Sequence, residues 1–276
     1  MSLQLIPASQ FTVEALTQIY NQTRVDYLVP MPMNAARLAE YIHDYDIDLE
    51  RSVVAAREGK PVGVGMLGIR QNRSWITRLG VLPVKRRAGI GESIMVNMLE
   101  HSDQPGIELC ILEVIEGNTP AHNLFLKLGF RETRTYLVLR RAPRLMEFWL
   151  RGRISWLDKE DSLVRLREAS LCQSWINAAE SMENADNLQG IRLVLPDGSS
   201  GWLVYRYYKF TLSHLILHTE SGDPVKIGMN LLAHLHCQHR MLDTYAENIE
   251  VNDPHLPALK EMGYFEAFRR IEMHRR

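Results

Sequence analysis

The sequence has few cysteines, no long apolar run and no excess of charge of either sign. Its three cysteines, Cys110, Cys172 and Cys237, are an odd number without a C-x-x-C pair, which argues against a disulfide framework or a zinc knuckle. No stretch approaches the roughly 18 apolar residues that span a bilayer. The N-terminus lacks the basic and apolar regions of a secretory signal. We therefore expect a soluble, cytoplasmic protein with no membrane partner.

The charge balance also limits the classes of partner. Lys and Arg together number 32 against 33 Asp and Glu, which gives a formal net charge of −1. Without a global basic field, nonspecific binding to nucleic acid is disfavoured, and no nucleic-acid partner is expected. With 276 residues, 46% of them hydrophobic, the chain is long enough for two compact units, each burying its own core.

The first third of the chain alternates the patterns of strand and helix. A short strand at the N-terminus precedes a helix behind Thr12, and a second helix follows Asn34; both residues are predicted N-caps. Glycines at 63, 65 and 68 indicate a bulge, a close approach by a ligand or backbone, or loose packing. Strands are predicted at residues 51–56, 61–69 and 74–82.

The most informative segment is Arg86-Arg87-Ala88-Gly89-Ile90-Gly91, a basic turn between a strand and a helix. The first N–H groups of a helix lack internal partners, and the helix dipole adds about half a positive charge there, so such a junction can bind an anion. Gly89 and Gly91 would let a pyrophosphate approach the backbone, and Arg86 and Arg87 would add charge-assisted hydrogen bonds. Taken alone, the segment is equally compatible with a helix start carrying solvated arginines.

A second motif follows a β-type run at residues 106–114. Pro120 suits the first turn of a helix, Gly129 is placed to end that helix in the left-handed conformation, and a strand follows from Phe130. The chain therefore runs strand, turn and helix, strand, helix, strand.

This order and the two motifs resemble the GNAT superfamily of acyl-CoA-dependent N-acyltransferases. Residues 86–91 match the family's (Arg/Gln)-x-x-Gly-x-(Gly/Ala) loop, and the resemblance covers roughly residues 2–142. It implies an α/β fold with a mixed, mostly antiparallel sheet flanked by helices. It also implies acetyl-CoA as co-substrate, no metal, and an amine acceptor that is a small molecule or a peptide. The second signature is matched by Asn118, Ala121, Leu124, Lys127, Gly129 and Phe130.

The resemblance assigns the acetyl-CoA site to the end of one strand, the basic loop and the second signature helix. Phe125 stands where the family often has the tyrosine that protonates the leaving thiolate, and phenylalanine cannot donate a proton. The residues expected to bind the cofactor are Leu79, Gly80, Val81, Arg86, Arg87, Ala88, Gly89, Ile90, Gly91, Asn118 and Phe125.

Catalytic and acceptor-binding residues are less sharply defined by the sequence. Glu113 is the candidate base and His122 the candidate acid, with Tyr136 a third candidate, and an ordinary structural role is the alternative for each. The acceptor pocket of the family lies between the first two helices and the central strands. Local candidates are Asp26, Tyr27, Met31, Met33, Tyr41 and Trp75, of which Asp26 could pair with a cationic amine.

The second half repeats the element order of the first. A long helical segment carrying Leu163, Leu166, Ala169 and Leu171 is predicted to end before Asn184. A hairpin with its turn at 196–198, a strand at 212–217 and a helix through Leu231 are predicted after it. An offset of 134 places Asn252, Pro254, Gly263 and Tyr264 on Asn118, Pro120, Gly129 and Phe130.

We therefore predict two domains, a GNAT domain at 1–145 and a degenerate GNAT-like domain at 146–276. Aligning residues 227–228 with 90–91 puts Asp223 at the place of Arg86 and Lys226 at that of Gly89, and both changes weaken phosphate binding. Acetyl-CoA is expected in the first domain. His236 and His239 share a helix face without further ligands, so no metal site is predicted.

The sequence predicts an acetyl-CoA-dependent N-acetyltransferase that acts directly on an amine. The alternative is a catalytically inactive acyl-CoA-binding sensor or protein-interaction module, which Phe125 and the degenerate repeat favour. By analogy with families of this fold, a homodimer is allowed.

Overall fold

The computed structural model describes residues 2–144, 150–169 and 173–276, in two compact units. The first unit runs to Arg134 and also contains Ile271–Arg276, and the second is Thr135–Arg270. The predicted boundary between residues 145 and 146 lies outside the described residues, as do Leu171 and Cys172.

The first unit is a mixed sheet with helices packed against it. Its sheet order is β1-β2-β3-β4-β5-β12-β6, in which β4 and β5 are parallel and the pairs from β1 to β4 are antiparallel. The strands are β1 (Gln4–Pro7), β2 (Val53–Arg57), β3 (Lys60–Arg70), β4 (Arg73–Val81) and β5 (Leu109–Ile115), the start of β6 (Arg131–Arg141) and the end of β12 (Phe265–Arg275). The helices are α1 (Val13–Gln22), α2 (Ala35–Asp44), α3 (Ile90–Ser102) and α4 (Thr119–Lys127).

Both predicted N-caps of the first unit are confirmed. The Thr12 hydroxyl accepts a hydrogen bond from the Ala15 N–H at 3.2 Å, and the Asn34 side-chain oxygen accepts one from the Arg37 N–H at 2.8 Å. Each cap satisfies a backbone donor that the helix itself cannot satisfy, which fixes where α1 and α2 begin.

The glycines of β3 give α3 close access to the sheet. A Cβ at Gly65 would lie 2.6 Å from Met98 Cε and 2.7 Å from Ile94 Cγ2. The pairing of β3 with β4 also shifts register beside this glycine, between Val64 and Met66. Of the interpretations left open by the sequence, a bulge together with close helix packing is the one observed.

The end of β12 completes the core of the first unit. Met273 is fully buried in the same hydrophobic cluster as the side chains of α3. Beside it, Glu272 is 1% exposed and accepts hydrogen bonds from Arg134 at 2.9 and 3.1 Å. Burial opposes ionisation of Glu272, but the hydrogen bond with His274 and the charge of Arg134 outweigh it and hold the carboxyl pKa below its ordinary value.

The second unit has the same kind of sheet, in the order β12-β6-β11-β10-β9-β8-β7. Strands β10 and β11 are parallel, and the β6–β11, β9–β10, β8–β9 and β7–β8 pairs are antiparallel. Its elements, besides the rest of β6 and β12, are β7 (Arg153–Leu157), α5 (Lys159–Glu168), α6 (Ala179–Asn184), β8 (Leu188–Val194), β9 (Ser200–Tyr208), β10 (Thr211–Ser221), α7 (Pro224–Gln238), β11 (Asp243–Glu250) and α8 (Leu256–Glu261).

The prediction of one long helix before Asn184 is wrong. Residues 153–157 form a strand along β8, and α5 starts only behind Asp158, whose carboxylate accepts a hydrogen bond from the Asp161 N–H at 2.9 Å. The helical spacing of Leu163 and Leu166 is confirmed, since both are buried on α5. The helix nevertheless ends at Glu168, and α6 is a separate helix.

The predicted repeat is visible in the way the signature helices end. Gly129 after α4 and Gly263 after α8 both have φ of +88°. The Phe130 N–H donates to the Phe125 carbonyl at 3.1 Å, and the Tyr264 N–H donates to the Leu259 carbonyl at 3.1 Å. The same helix-ending bond therefore recurs at the offset of 134, and each unit has the predicted mixed sheet flanked by helices.

Candidate active site

A cleft of about 590 Å³ opens in the first unit where β4 and β5 diverge. The two strands pair only over residues 73–76 and 109–112, and Arg78 then takes a left-handed conformation with φ of +55°. The residues that line the cleft are Thr23, Arg24, Asp26, Tyr27, Leu28, Leu79, Gly80, Val81, Lys85, Arg86, Arg87, Gly89, Ile90, Gly91, Glu92, Gly117, Asn118, Pro120, Ala121 and Leu124.

One wall of the cleft is the N-terminus of α3. Gly89 is the N-cap, with φ of +76°, and it has no side chain to satisfy the N–H groups of Ile90, Gly91 and Glu92. No described atom lies within 4 Å of a Cβ placed at Gly89. The Glu92 carboxylate is held by Lys127 at 2.6 Å, which offsets its charge. The helix therefore presents free donors and a positive dipole end to the cleft.

Arg86 is engaged within the protein. Its guanidinium donates to both carboxylate oxygens of Asp26, at 2.6 and 2.8 Å, and to the carbonyls of Thr23 at 3.1 Å and Val81 at 3.2 Å. The hydrogen bond and charge of Arg86 also hold the Asp26 pKa below its ordinary value. In the structure, the cation paired with Asp26 is therefore Arg86. The sequence suggested Asp26 as the partner of a cationic amine in the acceptor.

Two other cations at the cleft are free. Among the described residues, neither the Lys85 ammonium nor the Arg87 guanidinium has a hydrogen-bond or ion-pair partner. A pyrophosphate at the start of α3 would therefore meet these two side chains and the backbone N–H groups, while Arg86 ties the loop to the end of α1.

Arg24 is a cleft residue that the sequence analysis missed. Its guanidinium lies 4.4 Å from the ring centre of Tyr27 and 4.9 Å from that of Tyr20, and it donates to the Leu79 carbonyl at 3.1 Å. Its position beside Asp26 was visible in the sequence, but its contact with a strand 55 residues away was not.

The predicted binding residues divide into two groups. Asp26, Tyr27 and all the predicted cofactor residues except Ala88 and Phe125 line the cleft. Phe125 is 5% exposed and packs against Phe130, with ring centres 6.2 Å apart. Trp75 is buried against Tyr41 and Tyr45 and does not line the cleft.

The predicted catalytic residues lie apart from each other. His122 does not line the cleft, and its Nε2 lies 2.7 Å from Glu132 Oε1. Glu113 lies on β5 and does not line the cleft either, and its charge is the smallest of the influences on the Tyr41 pKa. Burial is the main cause that raises the Tyr41 pKa, with Arg78 opposing it.

A polar cluster therefore lies where β4 and β5 diverge. The Tyr41 hydroxyl is 2.7 Å from the Thr77 hydroxyl, and the Arg78 guanidinium lies 4.2 Å from the Tyr41 ring centre. Because burial raises the pKa of Tyr41, its phenol is a hydrogen-bond donor in this cluster. Tyr136, the third candidate, belongs to the second unit.

The equivalent helix start in the second unit is closed to anions. Asp223 caps α7 by accepting a hydrogen bond from the Lys226 N–H at 2.7 Å, and its charge repels phosphate. In the alignment of 227–228 with 90–91, α7 begins at the position of Arg87, so a helical turn replaces the basic loop. A Cβ at Gly228 would lie 2.9 Å from the Ala258 Cβ, so α7 and α8 are packed closely.

The histidines of α7 have separate structural partners. His236 is buried against the Tyr264 hydroxyl at 2.9 Å, and burial lowers its pKa to about 3. His239 contacts the Tyr205 hydroxyl at 3.2 Å, and His234 contacts the Arg151 carbonyl at 3.1 Å. In the part of the chain that the structure describes, no group of His, Cys, Asp or Glu side chains is arranged to hold a metal. That part also contains no helix of the length and hydrophobicity needed to span a membrane.

By its family match and its fold, the first unit is an acyltransferase. Residues 14–130 match the model of the Acetyltransferase (GNAT) family, a segment that includes both sequence motifs. The predicted resemblance to the GNAT superfamily is therefore confirmed. No curated protein sequence matches the chain.

Solved structures extend the likeness to the whole chain at the level of the fold. A tandem GNAT protein from the clavulanic acid biosynthesis pathway is 12% identical, with 99% of this chain and 98% of that chain covered and a TM-score of 0.69. A GCN5-related N-acetyltransferase from Sphaerobacter thermophilus is 13% identical, with 99% and 95% covered and a TM-score of 0.72. A glucosamine N-acetyltransferase region of a fungal multi-domain GH3 β-N-acetylglucosaminidase is 14% identical, with 99% and 38% covered and a TM-score of 0.72.

Proposed function

We propose that the protein is an acetyl-CoA-dependent N-acetyltransferase whose donor site is the cleft of the first unit. The observation that carries this proposal is the start of α3, where uncapped N–H groups and the free cations Lys85 and Arg87 face a cleft of about 590 Å³. The low cysteine content supports a reducing, cytoplasmic setting.

The residues of the cleft fit the parts of an acyl-CoA. Backbone N–H groups at Ile90 and Gly91 would hold the pyrophosphate, and Asn118 lies across the cleft, with its amide 3.4 Å from the Tyr27 hydroxyl. The pantetheine would follow residues 79–81, whose strand has no parallel partner beyond Ile76. Acetyl-CoA supplies an acyl group already activated as a thioester.

With such a donor, the protein has to orient an amine and remove its proton. Glu113 is the candidate acceptor of that proton, and Tyr41, whose pKa burial raises, can donate a hydrogen bond beside Thr77 and Arg78. As the C–N bond forms, the C–S bond of the thioester breaks and CoA leaves as a thiolate. Phe125 is buried in the core and supplies no acid, so the thiolate takes its proton from solvent. The acceptor is an amine of a small molecule or a peptide.

The test is native mass spectrometry of the protein titrated with acetyl-CoA, beside Gly89→Glu. We expect one bound acetyl-CoA, lost in the variant because a carboxylate then stands at the pyrophosphate position. The same spectra report whether the chain is a homodimer. Absence of binding in the wild type, or equal binding in Gly89→Glu, would contradict the proposed donor site.

The second candidate is a catalytically inactive acyl-CoA sensor, and the observation that favours it is Phe125 in place of a proton donor. The two are separated by following thiol release from acetyl-CoA with a broad panel of amines. Transfer to any amine, reduced in Glu113→Gln without loss of acetyl-CoA binding, supports the enzyme. Binding without transfer to any of them supports the sensor.

A further inference from the structure

The second unit contains a cleft of its own, where β10 and β11 diverge. Residues 211–212 pair with 243–244, after which left-handed conformations at His214 and Asn248 bulge the two strands. The cleft encloses about 350 Å³, within the range of about 300–1,000 Å³ typical of small-molecule sites. We propose that it binds a small organic cation, an ammonium group on a short apolar body, independently of CoA.

Two buried polar side-chain atoms of this cleft lack hydrogen-bond partners among the described residues. Asn177 is 1% exposed, and its Nδ2 donates to the Glu247 carbonyl at 2.8 Å, which fixes the orientation of the amide. The Asn177 Oδ1 and the hydroxyl of Ser174, itself 2% exposed, have no hydrogen-bond partner among the described residues. Buried acceptors without partners destabilise a fold by roughly 1–3 kcal/mol each. Two of them among the residues that line one cleft therefore point to a ligand that donates hydrogen bonds.

The charge of the lining selects a cation. Glu250 and Asp253 contribute carboxylates, and the described lining residues include no Lys, Arg or His. Asp253 Oδ1 already accepts a hydrogen bond from the His255 N–H at 2.7 Å and lies 3.2 Å from the His255 Nδ1, so Glu250 is the carboxylate assigned to the ligand. An anion would be repelled, whereas an ammonium group has three donors for carboxylate, amide and hydroxyl oxygens. The remaining wall is apolar, with Leu215 and Leu259 among its side chains, and suits a short hydrocarbon body.

The start of α7 lacks the features that would hold the pyrophosphate of CoA. The Asp223 carboxylate accepts from the Lys226 N–H at 2.7 Å, and a Cβ at Gly228 would lie 2.9 Å from the Ala258 Cβ. The ligand of the second unit is therefore small, and its binding does not depend on the donor site proposed for the first unit.

The experiment uses the full chain and a matched set of three probes: hexylammonium, hexanol and hexanoate. Binding is followed by saturation-transfer NMR and isothermal titration calorimetry. We expect hexylammonium to bind at least tenfold more tightly than hexanol, and hexanoate not to bind. Glu250→Gln and Ser174→Ala should each weaken hexylammonium binding at least tenfold. Ser174→Ala removes a buried hydroxyl that has no partner among the described residues. The thermal unfolding temperature of this variant should therefore be equal to or above that of the wild type.

Two control variants distinguish binding in this cleft from binding at the donor site or at surface carboxylates. Gly89→Glu, which disables the proposed donor site of the first unit, should bind hexylammonium as the wild type does. Glu183→Gln removes an exposed carboxylate paired with Arg167 and should also leave binding unchanged. The proposal is overturned if hexylammonium does not bind, if hexanol or hexanoate binds equally well, or if binding survives both Glu250→Gln and Ser174→Ala.

Discussion

Replacing Gly89 with alanine tests whether the backbone at the start of α3 binds the donor. Gly89 has φ of +76°, and no described atom lies within 4 Å of the added Cβ, so the substitution strains the backbone without a steric clash. A left-handed residue other than glycine costs roughly 1–2 kcal/mol, and the smaller entropy of the unfolded chain returns about 0.4–1 kcal/mol. The expected net loss of unfolding free energy is about 1 kcal/mol, or roughly 2–4 °C in Tm.

Gly106 provides the matched control. It has φ of +98°, no described atom lies within 4 Å of its added Cβ, and it lies in the first unit but does not line the cleft. Gly106→Ala should therefore lose about the same stability as Gly89→Ala. Only Gly89→Ala should also weaken acetyl-CoA binding, because relief of its strain turns the N–H groups of Ile90 and Gly91 away from the cleft.

The expected loss of acetyl-CoA affinity follows from the number of hydrogen bonds to the pyrophosphate that are lost. One charge-assisted hydrogen bond contributes about 1.5–3 kcal/mol, so Gly89→Ala should raise the Kd for acetyl-CoA at least tenfold by isothermal titration calorimetry. Chemical denaturation of the same samples gives the stability change. If Gly89→Ala keeps wild-type affinity, or if Gly106→Ala loses as much, the assignment of the pyrophosphate to the start of α3 is refuted.

Three further predictions concern charged side chains. Asp26→Asn leaves Arg86 without its carboxylate partner, so acetyl-CoA should bind more tightly and with a steeper salt dependence, measured by titration at several ionic strengths. Asp223→Ala removes the cap of α7 and should lower stability by about 1 kcal/mol, yet native mass spectrometry should still count one acetyl-CoA. The pKa of Glu272 is depressed in the folded protein, so its ionised carboxylate stabilises the protein at pH values above its ordinary pKa of 4.5. This stabilisation is lost as the pH falls through the pKa of the folded state. Denaturation at pH 7 and pH 4 should therefore show a smaller pH effect in Glu272→Gln, and an unchanged effect would contradict the role of its pair with Arg134.

Features set by neighbours in the sequence were predictable. The caps at Thr12 and Asn34 and the helix end at Gly129 depend on residues within a few positions of each other, and each was found where it was predicted. The glycine-containing loop was also predictable, because its conformation and its free N–H groups belong to one segment.

Features set by distant pairing were not predictable. The ion pair of Arg86 with Asp26 joins residues 60 positions apart, and neither side chain has a local pattern that names the other. The strand β7 depends on pairing with β8, which periodicity within 153–157 does not reveal. The cleft of the second unit likewise results from two bulges on different strands.

The return of residues 271–276 to the first unit has a consequence for synthesis on the ribosome. Met273 belongs to the hydrophobic core beneath α3, so this core stays incomplete while the second unit is still being translated. The first unit therefore cannot complete its core in chain order, because part of that core is synthesised after the second unit. A fragment that ends at residue 145 should expose this part of the core. Removal of residues 271–276 should impair acetyl-CoA binding at the loop of residues 86–91, about 180 positions earlier.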